Sequence, residues 1–275
     1  AIGPTVEVQH DPQAILPRIA IEDEDPENDL PYTRRKLVGD FGRNGSYLVF
    51  RQMSQDVKGF WDFIDNAAKN GYNKSPKHAR EELAAKMVGR WKEGEPLSKC
   101  PVMGDCNLED FNDFNYAQDL SGTRCPLGAH IRRTNPRDAL EGSLEDSIET
   151  SNRHRLLRRG RPYGAPISPT FDVDEILAAK EQEEEVGLHF ICLNADIERQ
   201  FEFVQHTWVN NTKFAGLYSD SDPLIGNQID NHSTFTIQRE SVRERITGMK
   251  SFVRVRGGAY FFLPGLRALR FLAAM

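Results

Sequence analysis

The stretch from Cys125 to Gly164, CPLGAHIRRTNPRDALEGSLEDSIETSNRHRLLRRGRPYG, constrains this chain more than any other. It places His130 between small and apolar neighbours and follows it with Arg132, Arg133 and Arg137. A second arginine cluster follows at Arg153, Arg155, Arg158, Arg159 and Arg161. Arginines in such number are costly to bury unless they meet anions or strong dipoles. A neutral imidazole can coordinate a metal, and nearby arginines suit carboxylate or phosphate groups on whatever carries that metal.

Three readings of the second cluster compete. A nucleic-acid patch fits poorly with a net charge of -6. A solvated segment paired with the acidic run at 181–185 is the second. A ligand site is the third, and the apolar pair Leu156–Leu157 inside the cluster favours it by implying partial burial.

The 275 residues suffice for one large domain or two small ones. No apolar run reaches membrane-spanning length. Four cysteines at irregular spacing exclude a disulfide scaffold and argue against a zinc site; Cys100 and Cys106, the near pair, are candidates for a loop disulfide. The chain opens on Ala1 without a signal-peptide pattern, reads as processed or cut, and is expected to be cytoplasmic.

Residues 1–40 read as an irregular acidic linker because of the proline-broken run EDEDPEND (22–29), leaving 41–275 as the folded domain. The segment 45–53 predicts a strand. A helix capped by Ser54 follows, with Val57, Phe60, Trp61, Ile64 and Ala68 on one face. A second helix starts at Ser75–Pro76, its apolar face running from Leu83 to Trp91. Residues 92–129 read as a long loop, of the kind that is usually functional. A charged helix ending at 185, a strand at 187–195 and a helix capped by Asp196 come next. A two-stranded hairpin over 251–264 and a terminal helix complete the chain. This order predicts an α+β fold, a ferredoxin-like antiparallel sheet with helices on one face.

No G-x-S-x-G, H-E-x-x-H, P-loop or G-x-G-x-x-G motif is present. What the chain does carry, in order, is GRNGSYLVFRQ (42–52), GAHIRRTNPR (128–137), RHRLLRRGRPYG (153–164), ERQFEFVQ (198–205), DPLIG (222–226) and GGAYFFLPGLRALRFLA (257–273). Together these resemble the C-terminal half of a dye-decolorizing peroxidase. The resemblance implies tandem ferredoxin-like domains with haem b in the C-terminal one, oxidising bulky phenolic or dye-like substrates with hydrogen peroxide through a high-valent iron state.

By motif position, His130 would be the iron ligand and Asp222 its hydrogen-bonding carboxylate. Arg158 would be the distal arginine, Leu188 and Phe190 the distal ceiling, and Arg132 or Arg155 the partners of the haem propionates. The family's distal aspartate lies in a G-x-x-D-G motif that this chain lacks. The nearest string, at 59–63, lacks the second glycine. A second chain carrying the N-terminal half, or a homo-oligomer, would then complete the site. The competing readings are a non-catalytic haem-binding half and a basic-patch module without haem.

Overall fold

The computed structural model describes residues 6–23, 34–71, 76–104, 106, 109–179, 182, 184–228 and 232–275. Three strands, β1 (Glu7–Val8), β2 (Arg18–Asp23) and β3 (Arg34–Asp40), form a small antiparallel sheet in the order β1-β3-β2. The irregular linker expected over residues 1–40 therefore carries strands on both sides of the acidic run, whose residues 24–29 lie outside the described residues. Between β1 and β2 the buried carboxylate of Asp11 accepts the backbone N–H groups of Ile15 and Leu16, both at 3.0 Å.

β4 (Ser46–Gln55) is followed by α1 (Val57–Gly71) and α2 (Pro76–Val88). Pro76 opens α2 as expected; Ser75 lies outside the described residues. The cap of α1 is Asp56, which accepts the Gly59 N–H at 2.8 Å, while Ser54 is buried in β4 and donates to Arg254. α2 ends at Val88 because Gly89 takes the left-handed conformation (φ 96°), which leaves Trp91 buried outside the helix.

Short α3 (His130–Thr134) and α4 (Leu144–Arg153) then precede β5 (Leu157–Arg158) and β6 (Arg161–Tyr163). The charged helix is α5 (Val173–Ala178), capped by Asp172 and shorter than expected; residues 180, 181 and 183 lie outside the described residues. β7 (Gly187–Asn194) leads into wide helical turns over 198–209, with i→i+5 bonds such as Glu202 N–H to Ile197 O at 2.9 Å.

β8 (Thr234–Gln238) and β9 (Arg243–Thr247) form a hairpin that the sequence pattern did not announce. β10 (Val253–Leu263) and α6 (Leu266–Ala273) close the chain. The predicted hairpin over 251–264 is one strand. Its Gly257–Gly258 pair is no turn: β10 runs antiparallel along all of β4, with one bulge between Val255 and Gly257.

The fold is α+β and ferredoxin-like, built on an antiparallel sheet in the order β10-β4-β7-β5, with β6 also on β7. One core joins α1 and α2 to the β8–β9 hairpin through Ile64, Leu83, Met87, Phe235, Ile237 and Phe252. A second holds Trp91, Leu97, Cys100, Tyr116, Cys125 and Ala129, directly before α3. Cys100 and Cys106 form a disulfide, and Cys125 and Cys192 are buried free thiols. Among the described residues no helix is long and apolar enough to cross a membrane.

The two central glycines of β10 differ in surroundings. A Cβ on Gly258 would stand 2.5 Å from Phe50 O, whereas one on Gly257 meets nothing within 4 Å. Gly258→Ala is expected to destabilise the fold by about 1–3 kcal/mol, and Gly257→Ala to stay within about 0.5 kcal/mol of wild type. Urea unfolding followed by circular dichroism checks both.

Candidate active site

The loop before α3 is tied by one buried carboxylate. Asp119 accepts the N–H groups of Arg124 (3.0 Å) and Cys125 (2.8 Å) and pairs with Arg132 at 3.3 Å. The buried Lys86 ammonium of α2 donates to the carbonyls of Thr123 and Arg124 at 3.2 and 2.6 Å. These contacts fix where α3 begins, and its first residue is His130.

His130 Nδ1 stands 2.9 Å from Asp222 Oδ2. Asp222 is fully buried, and its other oxygen accepts the N–H groups of Leu224 and Ile225 at 2.9 and 3.0 Å. Burial alone would push this carboxyl up. The attraction and hydrogen bond of His130, with the two backbone N–H bonds, outweigh it and hold the group below its ordinary value. Gly226 closes the turn, since a Cβ there would lie 2.6 Å from both Asp222 N and Asp222 O.

Behind the pair lies Arg133, 0% exposed. It donates to Trp208 O at 2.8 Å, Asn211 O at 3.0 Å and Asp220 O, and so clamps the segment that presents Asp222. Burial pushes its guanidinium down to about 10, and Asp222 and Asp220 oppose the shift. Arg132 also points into the protein. Beyond Asp119 it donates to Cys125 O at 2.9 Å and stacks over Tyr116, its carbon 4.6 Å from the ring centre.

With Nδ1 facing Asp222, His130 Nε2 has no hydrogen-bond partner among the described residues, and the ring borders a cavity of about 570 Å³. Leu188, Phe190, Arg155 and Arg158 line the same cavity, as do Arg90 and Arg137. Leu188 and Phe190 share a face because they are two apart on β7. Asp56 is the one carboxylate among the described lining residues.

The structure thus brings together His130, Asp222, Arg155, Arg158, Leu188 and Phe190, and places Arg132 elsewhere, engaged with Asp119 and Tyr116. The sequence offers Arg133 among the arginines after His130 that suit an anionic group, whereas the structure buries it against backbone carbonyls; Arg90 is not among the sequence candidates. Arg133 has a local signal, a charge beside the apolar start of α3; Arg90 has none, since only the loop at 94–112 gives it partners, Gly94 O at 2.6 Å and Asn112 Oδ1 at 3.1 Å.

No group of three His, Cys, Asp or Glu side chains that could hold a bare metal ion occurs among the described residues. The donor set is one imidazole nitrogen in a largely apolar cavity with four arginines in its wall. That set suits a metal that arrives inside an organic ring bearing anionic groups.

The family model for the C-terminal part of Dyp-type peroxidases matches residues 34–218. The chain belongs to the dye-decolorizing peroxidase family. It is 33% identical over 246 residues to dye-decolorizing peroxidase msp1 of Mycetinis scorodonius, covering 84% of this chain and 46% of that protein. To the multifunctional dye peroxidase DyP2 of an Amycolatopsis species it is 34% identical over 239 residues, covering 83% and 49%. A solved dye-decolorizing peroxidase in complex with 2,6-dimethoxyphenol superposes with a TM-score of 0.70 at 29% identity, covering 88% of this chain and 54% of the other. The chain spans about half the length of the relatives it matches.

Arg133→Ala strands three carbonyls and the neighbouring acids without their buried partner, and is expected to cost about 3–5 kcal/mol of stability. Arg155→Ala, at an exposed site, is expected to leave the unfolding midpoint unchanged. Chemical denaturation of the two variants separates the arginine that builds the site from one that borders the cavity.

Proposed function

We propose that this chain binds haem b and serves as the haem-bearing part of a dye-decolorizing peroxidase that oxidises bulky phenolic or dye-like compounds with hydrogen peroxide. The observation that carries the reading is the His130–Asp222 pair, with Nε2 open to a cavity whose wall also contains Arg158, Leu188 and Phe190. When bound, haem iron supplies the two-electron reduction of peroxide and the one-electron oxidation of an aromatic donor.

The residues have separate tasks. His130 offers Nε2 as the iron ligand. Asp222 holds the proton of His130 on Nδ1, fixes the ring plane and makes the ligand more basic. Arg158 makes no hydrogen bond or ion pair through its guanidinium among the described residues, so it is free to orient peroxide and stabilise negative charge as the O–O bond breaks. Always protonated, it cannot serve as the base. Leu188 and Phe190 keep water from the reacting atoms. After Arg158, Arg155 is the least committed arginine of the wall, held by one 3.3 Å bond to Asn152, and is the candidate for an anionic ring substituent. Arg90 and Arg137 already donate to backbone carbonyls at 2.6 Å, to Gly94 and Phe114 respectively.

A second reading, a haem-binding half that relies on another polypeptide for its proton acceptor, is favoured by one observation. Asp56, the cavity's carboxylate, is engaged at 2.8 Å as the cap of α1. The relative solved with a phenol supports aromatic donors in either case. The Cys100–Cys106 disulfide favours an oxidising compartment over the cytoplasm expected from the sequence.

Reconstitution with haem is expected to give a Soret band that His130→Ala abolishes. Arg158→Ala is expected to keep the band and lose about 100- to 1,000-fold in peroxide-dependent dye oxidation. No Soret band in the wild type would overturn both readings. A band without peroxide-dependent oxidation would leave only the second.

A further inference from the structure

One wall of the cavity is built from a segment with almost no secondary structure of its own. From Gly89 to Tyr116 no described residue belongs to a helix or strand, apart from the isolated bridge Arg90–Pro96. Yet Arg90, Asn112 and Phe114 from this segment line the cavity. Two guanidiniums hold them there. Arg90 donates to Phe111 O at 2.9 Å and Asn112 Oδ1 at 3.1 Å, and Arg137 donates to Asn112 O at 3.1 Å and Phe114 O at 2.6 Å. The Phe114 ring lies against both, its centre 5.1 Å from the guanidinium carbon of Arg90 and 3.8 Å from that of Arg137. Arg137 takes the left-handed conformation (φ 57°), which a non-glycine residue keeps only where its surroundings fix it. Here the Ser147 and Ser151 hydroxyls donate to its carbonyl at 2.9 and 2.7 Å.

At its far end the segment is tied by Asp138, which accepts the Tyr116 N–H at 2.7 Å. Its near end depends on the disulfide between Cys100 and Cys106. Cys100 is fully buried in the core that precedes α3, and its carbonyl accepts the Trp91 indole N–H at 2.8 Å. Cys106 is part-exposed and only borders that core, and Val102 is 57% exposed. Among the described residues, none from 101 to 109 makes a hydrogen bond to the rest of the chain. The bridge joins residues six apart. So short a ring restrains little of the unfolded chain, and its effect falls on its own segment.

We propose that the Cys100–Cys106 disulfide is a redox latch on the cavity wall. Oxidised, it holds residues 110–116 under Arg90 and Arg137, and the cavity retains its ligand. Reduced by a dithiol, it frees the segment, and the ligand exchanges. The asymmetry of burial sets the course of the reaction. A thiolate of the dithiol attacks the reachable sulfur, Cys106 Sγ; the S–S bond breaks, and Cys100 leaves as a thiolate and takes a proton. The second thiol of the reductant then attacks its own sulfur in the mixed disulfide, closing the reductant's disulfide and freeing the Cys106 thiol. Two electrons and two protons pass from the dithiol to the bridge. Cys125 shares the core with Cys100 but takes no part, since burial pushes its thiol up to about 12 and leaves no thiolate to attack the bridge from inside. The latch works because Arg90 and Arg137 bind the segment and the cavity at once, so a loosened segment is an opened wall. A site of this kind loads where dithiols are abundant and locks where they are scarce. The proposal rests on the cavity and holds whatever ligand fills it.

The test compares the 275-residue chain as oxidised with the same chain treated with dithiothreitol under native conditions and desalted. Titration with a thiol reagent is expected to find no reactive thiol before and two after, because Cys125 and Cys192 stay buried. Hydrogen exchange read by mass spectrometry is expected to rise about tenfold over residues 109–116 on reduction and to stay unchanged over β4 and β7. Ferric haem is expected to pass to apomyoglobin about tenfold faster from the reduced chain, and reoxidation should restore the slow rate. Cys106→Ala, at the part-exposed end of the bridge, should behave as the reduced chain with and without dithiothreitol. Release of no thiol overturns the proposal, as does equal exchange over 109–116 in the two states. A rise spread equally over β4 and β7 also overturns it, since the bridge would then be a general staple, and so do equal rates of haem loss. A chain that takes up no haem in either state counts against the peroxidase reading, and the exchange measurement then decides this one.

Discussion

Everything in the site depends on keeping one buried carboxylate ionised. Asp222 has no access to water, and a bare carboxylate there would protonate. It stays charged because two backbone N–H groups of its own turn and the imidazole of His130 share its lone pairs. The same contacts leave the far nitrogen of His130 with nothing to do but face the cavity. The turn that makes this possible needs Gly226, and the position of the turn needs Arg133.

The arginine-rich stretch divides by depth. Arg132 and Arg133 are adjacent on α3, and both are buried in the protein, one against Asp119 and one against the carbonyls at 208, 211 and 220. They are structural cations that position His130 from behind. Arg137, Arg155 and Arg158 border the cavity. A single patch of sequence thus serves as scaffold and as cavity wall, and within the wall Arg137 is itself engaged with Phe114 O, while the Arg158 guanidinium has no partner among the described residues.

Much of this was legible in order and composition. β4, α1, α2, β7 and α6 follow from period-2 and period-3.6 patterns with caps or proline at their starts. Where the pattern misled, a long-range partner had intervened. The segment 251–264 reads as a two-stranded hairpin, but ten residues of β4 hold β10 extended along it. The acidic arm reads as linker because its charges say nothing about the β1-β3-β2 pairing on either side of them. The β8–β9 hairpin escaped notice because Arg243 and Arg245 alternate with half-buried residues on a strand open to solvent.

By itself the sequence determined the chemistry of the site: one imidazole, one aspartate in a D-P-x-x-G turn, many arginines, and two apolar residues on a strand, arranged in the order of the dye-decolorizing peroxidase family. Only the tertiary structure decided which arginine faces what. Adjacent residues on a short helix point in different directions, and whether a guanidinium meets a ligand or a carbonyl depends on loops 75 to 87 residues away. Tertiary structure also decided that one apolar face of the central sheet, with Leu157 and Phe261 about half exposed, is open among the described residues. Alternation shows only that both faces are apolar; whether something lies on each is a matter of packing, which no local pattern encodes.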